Sequence, residues 1–238
     1  MSSSIATFNP THIVSALPLP VLHAITQSTT PIPHLLANPS STVHVLNLVF
    51  PTPPREIHPP GFGYLIPRPK YGYPMHSGDN NPGILGVVFD SCSTWQQDEP
   101  GRNLTADEWY NKGSHTKITV MLGGPYPLYI PPCVPSSLGN SASIPHHIQI
   151  ILNHISTHLN RFNPLPSPIY YRLWRNEDCI PTYTVGHLRR INEMREMLNK
   201  DPSEGGWGGR LEIIGAGVEG VSVPDCVLAG RNAGSKWL

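Results

Sequence analysis

Apolar residues in this chain fall into short blocks separated by Pro-, Gly- and Asn-rich stretches. His12–Leu17 reads as a strand ahead of Pro18, and a short helix follows within "LPVLHAI". After a Ser/Thr/Pro/Asn-rich connection, "VHVLNLVF" (Val43–Phe50) is rich in β-branched and apolar residues, the mark of a buried strand. "PTPPREIHPP" ends it. "GFGYLIP" (Gly61–Pro67), "GILGVVFDS" (Gly83–Ser91) and "KITVMLGG" (Lys117–Gly124) read as further extended segments. The polar, turn-rich "RPKYGYPMHSGDNNP" between the first two predicts a long hairpin loop. Gln96–His115 reads as another loop. Strands joined by loops rather than helices predict an antiparallel or mixed sheet.

Two segments switch to helical period. In "HIQIILNHISTHL", Ile148, Ile151, Leu152, Ile155 and Leu159 fall on one face. His154 and His158 are one turn apart but have no carboxylate or cysteine beside them, so they read as solvent-side histidines rather than a metal pair. In "VGHLRRINEMREMLNK" the predicted stripe is Leu188, Ile191, Met194 and Leu198, with Arg189 and Glu193 placed to pair across a turn and Asp201-Pro202 to help end the helix. "SEGGWGG" then leads into a last strand, Leu211–Ile214. The predicted class is mixed α/β, of the α+β kind.

Composition narrows the function. Charged residues are 13% of 238 and the formal net charge is +0, which argues against nucleic acid and against an anionic membrane surface as electrostatic partners. The 28 Pro and 21 Gly fit a loop-rich chain. The four cysteines (Cys92, Cys133, Cys179, Cys226) lack metal or disulfide spacing and read as buried free thiols. No apolar run is long enough to span a membrane. The first residues carry neither an apolar signal core nor the arginines of a mitochondrial presequence, and the first strand comes abruptly for an independent domain. Asn103-Leu104-Thr105 matches a glycosylation sequon.

Gly215-Ala216-Gly217-Val218-Glu219-Gly220 follows an apolar run and fits G-x-G-x-x-G. A dinucleotide unit also needs a helix, a second strand and an acidic residue about 20 positions on, and the sequence after Gly220 has no place for that strand. A helix from about Pro224 does fit. Two readings stay open: a strand–turn–helix closure with glycines for tight packing, or a helix N-terminus presenting free N–H groups to an electron-rich ligand such as a flavin.

Several segments, taken in order, resemble protoporphyrinogen oxidase, a flavoprotein family of the amine-oxidase-like group. They are "THIVSALPLPVLHAI", "GFGYLIP", "GILGVVFDS", "KITVMLGG", "CIPTYTVGHL" and "GAGVEGVSVPDCVLAGRNAG". They correspond to the C-terminal half of that family. The resemblance implies an FAD enzyme of haem biosynthesis that oxidises protoporphyrinogen IX with O2, peripheral to the mitochondrial inner membrane and possibly a homodimer. It implies residues 1–30 and 208–238 as parts of a Rossmann-like FAD-binding domain, and 40–205 as a substrate domain. Phe62, Gly63, Leu65 and Met121 match substrate-lining positions, and Gly220, Val221, Ser222 and Val223 match the flavin motif. There the three N–H groups after Gly220 would stabilise charge on the reduced flavin, with Gly220 expected at positive φ. No catalytic side chain and no metal is implied, because the cofactor carries the electron chemistry. Tyr183 and His187 match the family as structural residues. The family's N-terminal pyrophosphate-binding unit has no counterpart here, so the chain reads as N-terminally truncated and inactive alone. Another amine-oxidase-like flavoenzyme and a non-catalytic remnant or interaction partner remain the alternatives.

Overall fold

A computed structural model of the chain describes residues 8–27, 31–73, 82–98, 104–126, 136–137 and 144–236. They form two compact units, residues 1–41 with 178–238, and residues 42–177. The class is mixed α/β, as the sequence predicts.

The second unit is built on an antiparallel sheet. Its strands are β2 (Ser40–Phe50), β3 (Gly63–Leu65), β4 (Ile84–Val88), β5 (Thr116–Gly123), β6 (Ser136–Ser137) and β7 (Tyr170–Pro181), in the order β3-β4-β5-β2-β7-β6. Alternation sorts the two faces. On β2, Leu46, Leu48 and Phe50 point inward, and on β5 Ile118, Val120 and Leu122 do the same. The helix α5 (His146–His158) lays Ile148, Ile151, Leu152 and Ile155 over this inner face, and the stripe read from its sequence is the stripe it buries.

Two readings of this unit are corrected. The stretch between β4 and β5 is not a plain loop: it holds α2 (Asp90–Ser93), α3 (Trp95–Asp98) and α4 (Ala106–Lys112). Thr105 and Glu108 close a reciprocal capping box on α4, and Trp109 is buried beneath it. The second correction is β7, a strand that the sequence pattern did not single out. Its Tyr171 and Leu173 face the core while Arg172 and Trp174 face out. The hairpin expected between β3 and β4 does form, although most of its tip (74–81) and the sequon residue Asn103 lie outside the described residues.

The first unit pairs β1 (Ile13–Ser15) with β8 (Leu211–Ile213) in parallel. Against them pack α1 (Leu19–Thr26) and α6 (His187–Asn199), through Leu19, Leu22, Ile191, Met194 and Leu198. α7 (Val223–Ser235) closes the chain. The stripe of α6 differs from expectation at one place. Leu188 is 76% exposed, and His187 is buried in its stead. Positions 187, 191, 194 and 198 are spaced i, i+4, i+7, i+11, so a helix beginning at His187 turns Leu188 outward. Arg189 and Glu193 pair as expected, at 3.5 Å. The cysteines also differ: Cys179 is exposed and Cys92 and Cys226 are half-buried, while Cys133 lies outside the described residues.

Candidate functional site

The outer face of the antiparallel sheet brings together three of the four residues matched to a substrate wall. Leu65 pairs with Gly86, and Gly86 with Met121, which in turn faces Val45. Strands are spaced at about 4.8 Å, so Leu65 and Met121 stand about 10 Å apart in one row, with a glycine between them. Gly86 must be small: a Cβ there would lie 2.8 Å from both Leu65 Cδ2 and the Tyr64 carbonyl oxygen. Gly63, two residues from Leu65, is constrained more tightly. It has φ +147°, and a Cβ would lie 2.2 Å from the Val87 carbonyl oxygen. Phe62 sits just outside β3, on the alternate position and 72% exposed, so it does not join this row. Leu65 is 76% exposed and Met121 is half-buried, giving a shallow apolar surface with Trp174 exposed on the same side of the sheet.

A polar line crosses this face beside the apolar row. Asn47 donates from Nδ2 to Thr119 Oγ1 at 2.7 Å, and Thr119 donates its hydroxyl hydrogen to Asp90 Oδ2 at 2.7 Å. Burial pushes the Asp90 carboxyl above its ordinary range, while the Thr119 bond and nearby Lys117 work against that shift. On the inner side, Tyr64 is hydrogen-bonded to His158 Nδ1 at 3.2 Å, and burial raises its hydroxyl pKa. Partial desolvation lowers the pKa of His158, with His154 adding to it, and the residue is exposed, in line with the solvent-side reading. Among the described residues no group of three or more His, Cys, Asp or Glu side chains could hold a metal.

In the first unit the glycine motif forms the turn between β8 and α7. Gly215 has φ +102°, and a Cβ on Gly217 would meet Leu19 Cγ at 2.8 Å. Gly220 is not at positive φ, contrary to expectation. Its smallness is required by the helix cap, since a Cβ would lie 2.4 Å from Asp225 Oδ2. That carboxylate belongs to a capping box. Ser222 N–H and Oγ donate to Asp225 Oδ2, and Asp225 N–H donates back to Ser222 Oγ. Ser222 N–H is therefore occupied, whereas the N–H groups of Val221 and Val223 have no partner among the described residues. Both open donors lie at the start of a 13-residue helix, where the dipole favours negative charge.

Two residues hold this turn from below. Tyr183 and His187 stack at 3.9 Å with rings 6° from parallel. The Tyr183 hydroxyl donates to the Ala216 carbonyl at 2.6 Å. His187 is bonded through Nε2 to the Val218 carbonyl, and Asn38 Nδ2 meets its Nδ1. A carbonyl can only accept, so Nε2 carries hydrogen and Nδ1 receives the Asn38 amide. The Asn38 orientation is fixed by Arg190, which donates to its Oδ1 at 3.2 Å. A cavity of about 700 Å³ opens beside this clamp, lined by Tyr183, His187, Leu188, Arg195, Val218 and Glu219 among others, with Arg195 and Glu219 ion-paired at 2.6 Å on its wall. The sequence placed Tyr183 and His187 in a structural role. Their target, the glycine turn more than 30 residues later, needed the fold to be seen.

No family model matches the chain. It is 30% identical over 226 residues to the protein named protoporphyrinogen oxidase from Homo sapiens, covering 93% of this chain and 39% of that one. The protein of the same name from Schizosaccharomyces pombe is 28% identical over 202 residues, covering 84% of this chain and 33% of its own length. The chain thus spans about two fifths or less of the curated relatives it matches. A solved structure from Exiguobacterium sp. 255-15, provisionally assigned as protoporphyrinogen oxidase, superposes with a TM-score of 0.57 at 17% identity, over 94% of this chain and 40% of that one. That likeness establishes a shared fold.

Proposed function

We propose that this chain, a homologue of part of protoporphyrinogen oxidase, carries the surface on which a protoporphyrinogen macrocycle is held for FAD-dependent oxidation in porphyrin biosynthesis. The observation that carries the reading is the row Leu65–Gly86–Met121 on one sheet face, built by segments that match the family. A tetrapyrrole is broad and mostly apolar, and it asks for an apolar wall with few polar anchors. Leu65 and Met121 supply adaptable apolar contact, and buried Gly86 leaves room for the Leu65 side chain between them.

The residues of the glycine turn fit a flavin in a narrower form than the sequence implied. Val221 and Val223 offer N–H groups to its electron-rich edge, Gly220 keeps the cap intact, and Ser222 supports the helix start rather than the ligand. A flavin held at the Val221 and Val223 N–H groups would supply the acceptor for the hydrogens that the macrocycle loses, with O2 as the final oxidant. The chain's own part is to bind, to exclude water with the apolar row, and to present fixed donors where negative charge accumulates. The 1–30 and 208–238 segments belong to the FAD side of this reading and 40–205 to the substrate side, except that residues 178–205 pack in the first unit. FAD retention by these 238 residues alone should be weak, because the resemblance puts the pyrophosphate-binding unit outside the matched segment. Peripheral attachment to the mitochondrial inner membrane and a homodimer come with the kinship. Among the described residues, no helix is long and apolar enough to cross a membrane.

Anaerobic titration of the chain with protoporphyrinogen IX, followed by tryptophan fluorescence, tests the reading. Saturable quenching is expected. Its absence, or equal quenching by an unrelated aliphatic amine substrate, overturns it.

A further inference from the structure

The hydrogen bonds on the outer sheet face run in one direction and end on a carboxylate. Thr119 pairs in register with Asn47 on β2 and with Val88 on β4, one step along β5 from Met121 on the same face. Asn47 gives a hydrogen to Thr119 Oγ1, which commits its own single hydrogen to Asp90. Asp90 closes the line as an acceptor. An ionised carboxylate has about four lone-pair sites. Here one is engaged by Thr119, and the Asp90 backbone N–H adds a second hydrogen bond. The neighbouring cation, Lys117, is ion-paired to Asp98 rather than to Asp90. Asp90 is thus half-buried and tethered beside the Leu65–Met121 row, with acceptor sites beyond those that Thr119 and its own backbone N–H use. Such a carboxylate can accept N–H or O–H donors from a ligand.

The reduced macrocycle supplies donors of the right kind. Its four pyrrole rings are joined by sp³ carbons, so the rings tilt and their N–H groups can converge on one side. The oxidised product is flat, with two N–H groups turned into the ring centre, where an outside acceptor cannot reach them. We infer that Asp90 is a substrate-positioning residue whose carboxylate accepts pyrrole N–H groups of the non-planar tetrapyrrole and so selects it over the flat product. The inference rests on the proposal that this face receives the macrocycle. Thr119 and Asn47 act through Asp90, holding its orientation. Burial also raises the Asp90 pKa, so the carboxylate costs stability where it stands, which is the usual cost of a functional group.

The test uses the whole chain and stable probes: a water-soluble calix[4]pyrrole with fully substituted bridging carbons, its N-methylated form, and protoporphyrin IX. Calorimetric titration should show the N–H calixpyrrole binding at least about tenfold tighter than the N-methylated form, the scale of a hydrogen bond to a charged group. Asp90→Asn should erase most of that preference and leave protoporphyrin IX affinity within about twofold, with Thr119→Val intermediate. Equal binding of the two calixpyrroles by the unmutated chain overturns the inference without any variant. So does an Asp90→Asn protein that keeps the preference, or one that loses all three ligands alike. If the unmutated chain binds no macrocycle at all, the proposed function falls with it, whereas binding without N–H preference leaves that function standing.

Discussion

His187 donates from Nε2 to the carbonyl of Val218 at 3.1 Å, tying the start of α6 to the glycine turn 31 residues later. The ring is 7% exposed and stacked on Tyr183, so the bond is made inside the first unit, away from water. His187→Phe keeps the aromatic stack but leaves the Val218 carbonyl and the Asn38 amide short of partners. Chemical denaturation should show a loss of about 1–3 kcal/mol. Tyr183→Phe, at a more exposed site, should lose about 1 kcal/mol or less. Equal stability of His187→Phe and the parent chain would show that the clamp carries no load.

Asp90 gives a pH dependence of definite sign. Its folded-state pKa is raised, chiefly by burial. A raised carboxyl contributes stability that is fully present below its unfolded pKa and is lost as pH rises through the folded value. Asp90→Asn cannot ionise, and its carbonyl oxygen can still accept from Thr119. The variant should therefore melt at or above the parent temperature at pH 7, and the difference should shrink as pH falls toward 4. Melting curves across that range decide it. A variant that is less stable at pH 7 and equal at pH 4 would reverse the sign.

The cap of α7 explains Gly220. Gly220→Ala drives a Cβ into the Asp225 carboxylate and should cost about 0.5–2 kcal/mol, the range of a lost N-cap. Asp225→Ala removes the same capping box and should cost a similar amount. The double variant should cost little more than either alone, because both remove one interaction. Full additivity in denaturant melts would separate Gly220 from the cap.

Helix α6 separates core from surface in adjacent turns. Met194→Ala should destabilise by about 2–5 kcal/mol. Leu188→Ser should stay within about 0.5 kcal/mol. A large loss at Leu188 would mean that its exposed face is covered in solution.

These positions also show what a sequence can and cannot carry. The β2 and β5 strands and the α5 stripe were legible because their periods are long and uninterrupted. β7 is hard to read because Arg175 and Glu177 occupy the inward register that Tyr171 and Leu173 begin. α4 carries a Thr105-x-x-Glu108 signature, but its seven residues give little helical period to read. Leu188 looks like the stripe residue because a buried histidine reads as polar until its partners, Asn38 and Val218, are known. Phe62, Leu65 and Met121 could be grouped from motifs, but which of them share a face depends on register, and the β4 pairing shifts between Ile84 and Gly86. A one-residue slip there would have moved Leu65 out of line with Met121. The Asn47–Thr119–Asp90 line joins three segments and left no local trace.

Met121→Glu places a charge in the middle of the outer row, on a half-buried side chain outside the two cores. Anaerobic titration of this variant with protoporphyrinogen IX, beside its melting temperature, addresses the substrate surface itself. The macrocycle should bind at least about tenfold more weakly, the penalty of an unpaired charge against an apolar ligand, with melting within a few degrees of the parent. Unchanged affinity in a folded variant would contradict the placement of the substrate on this face.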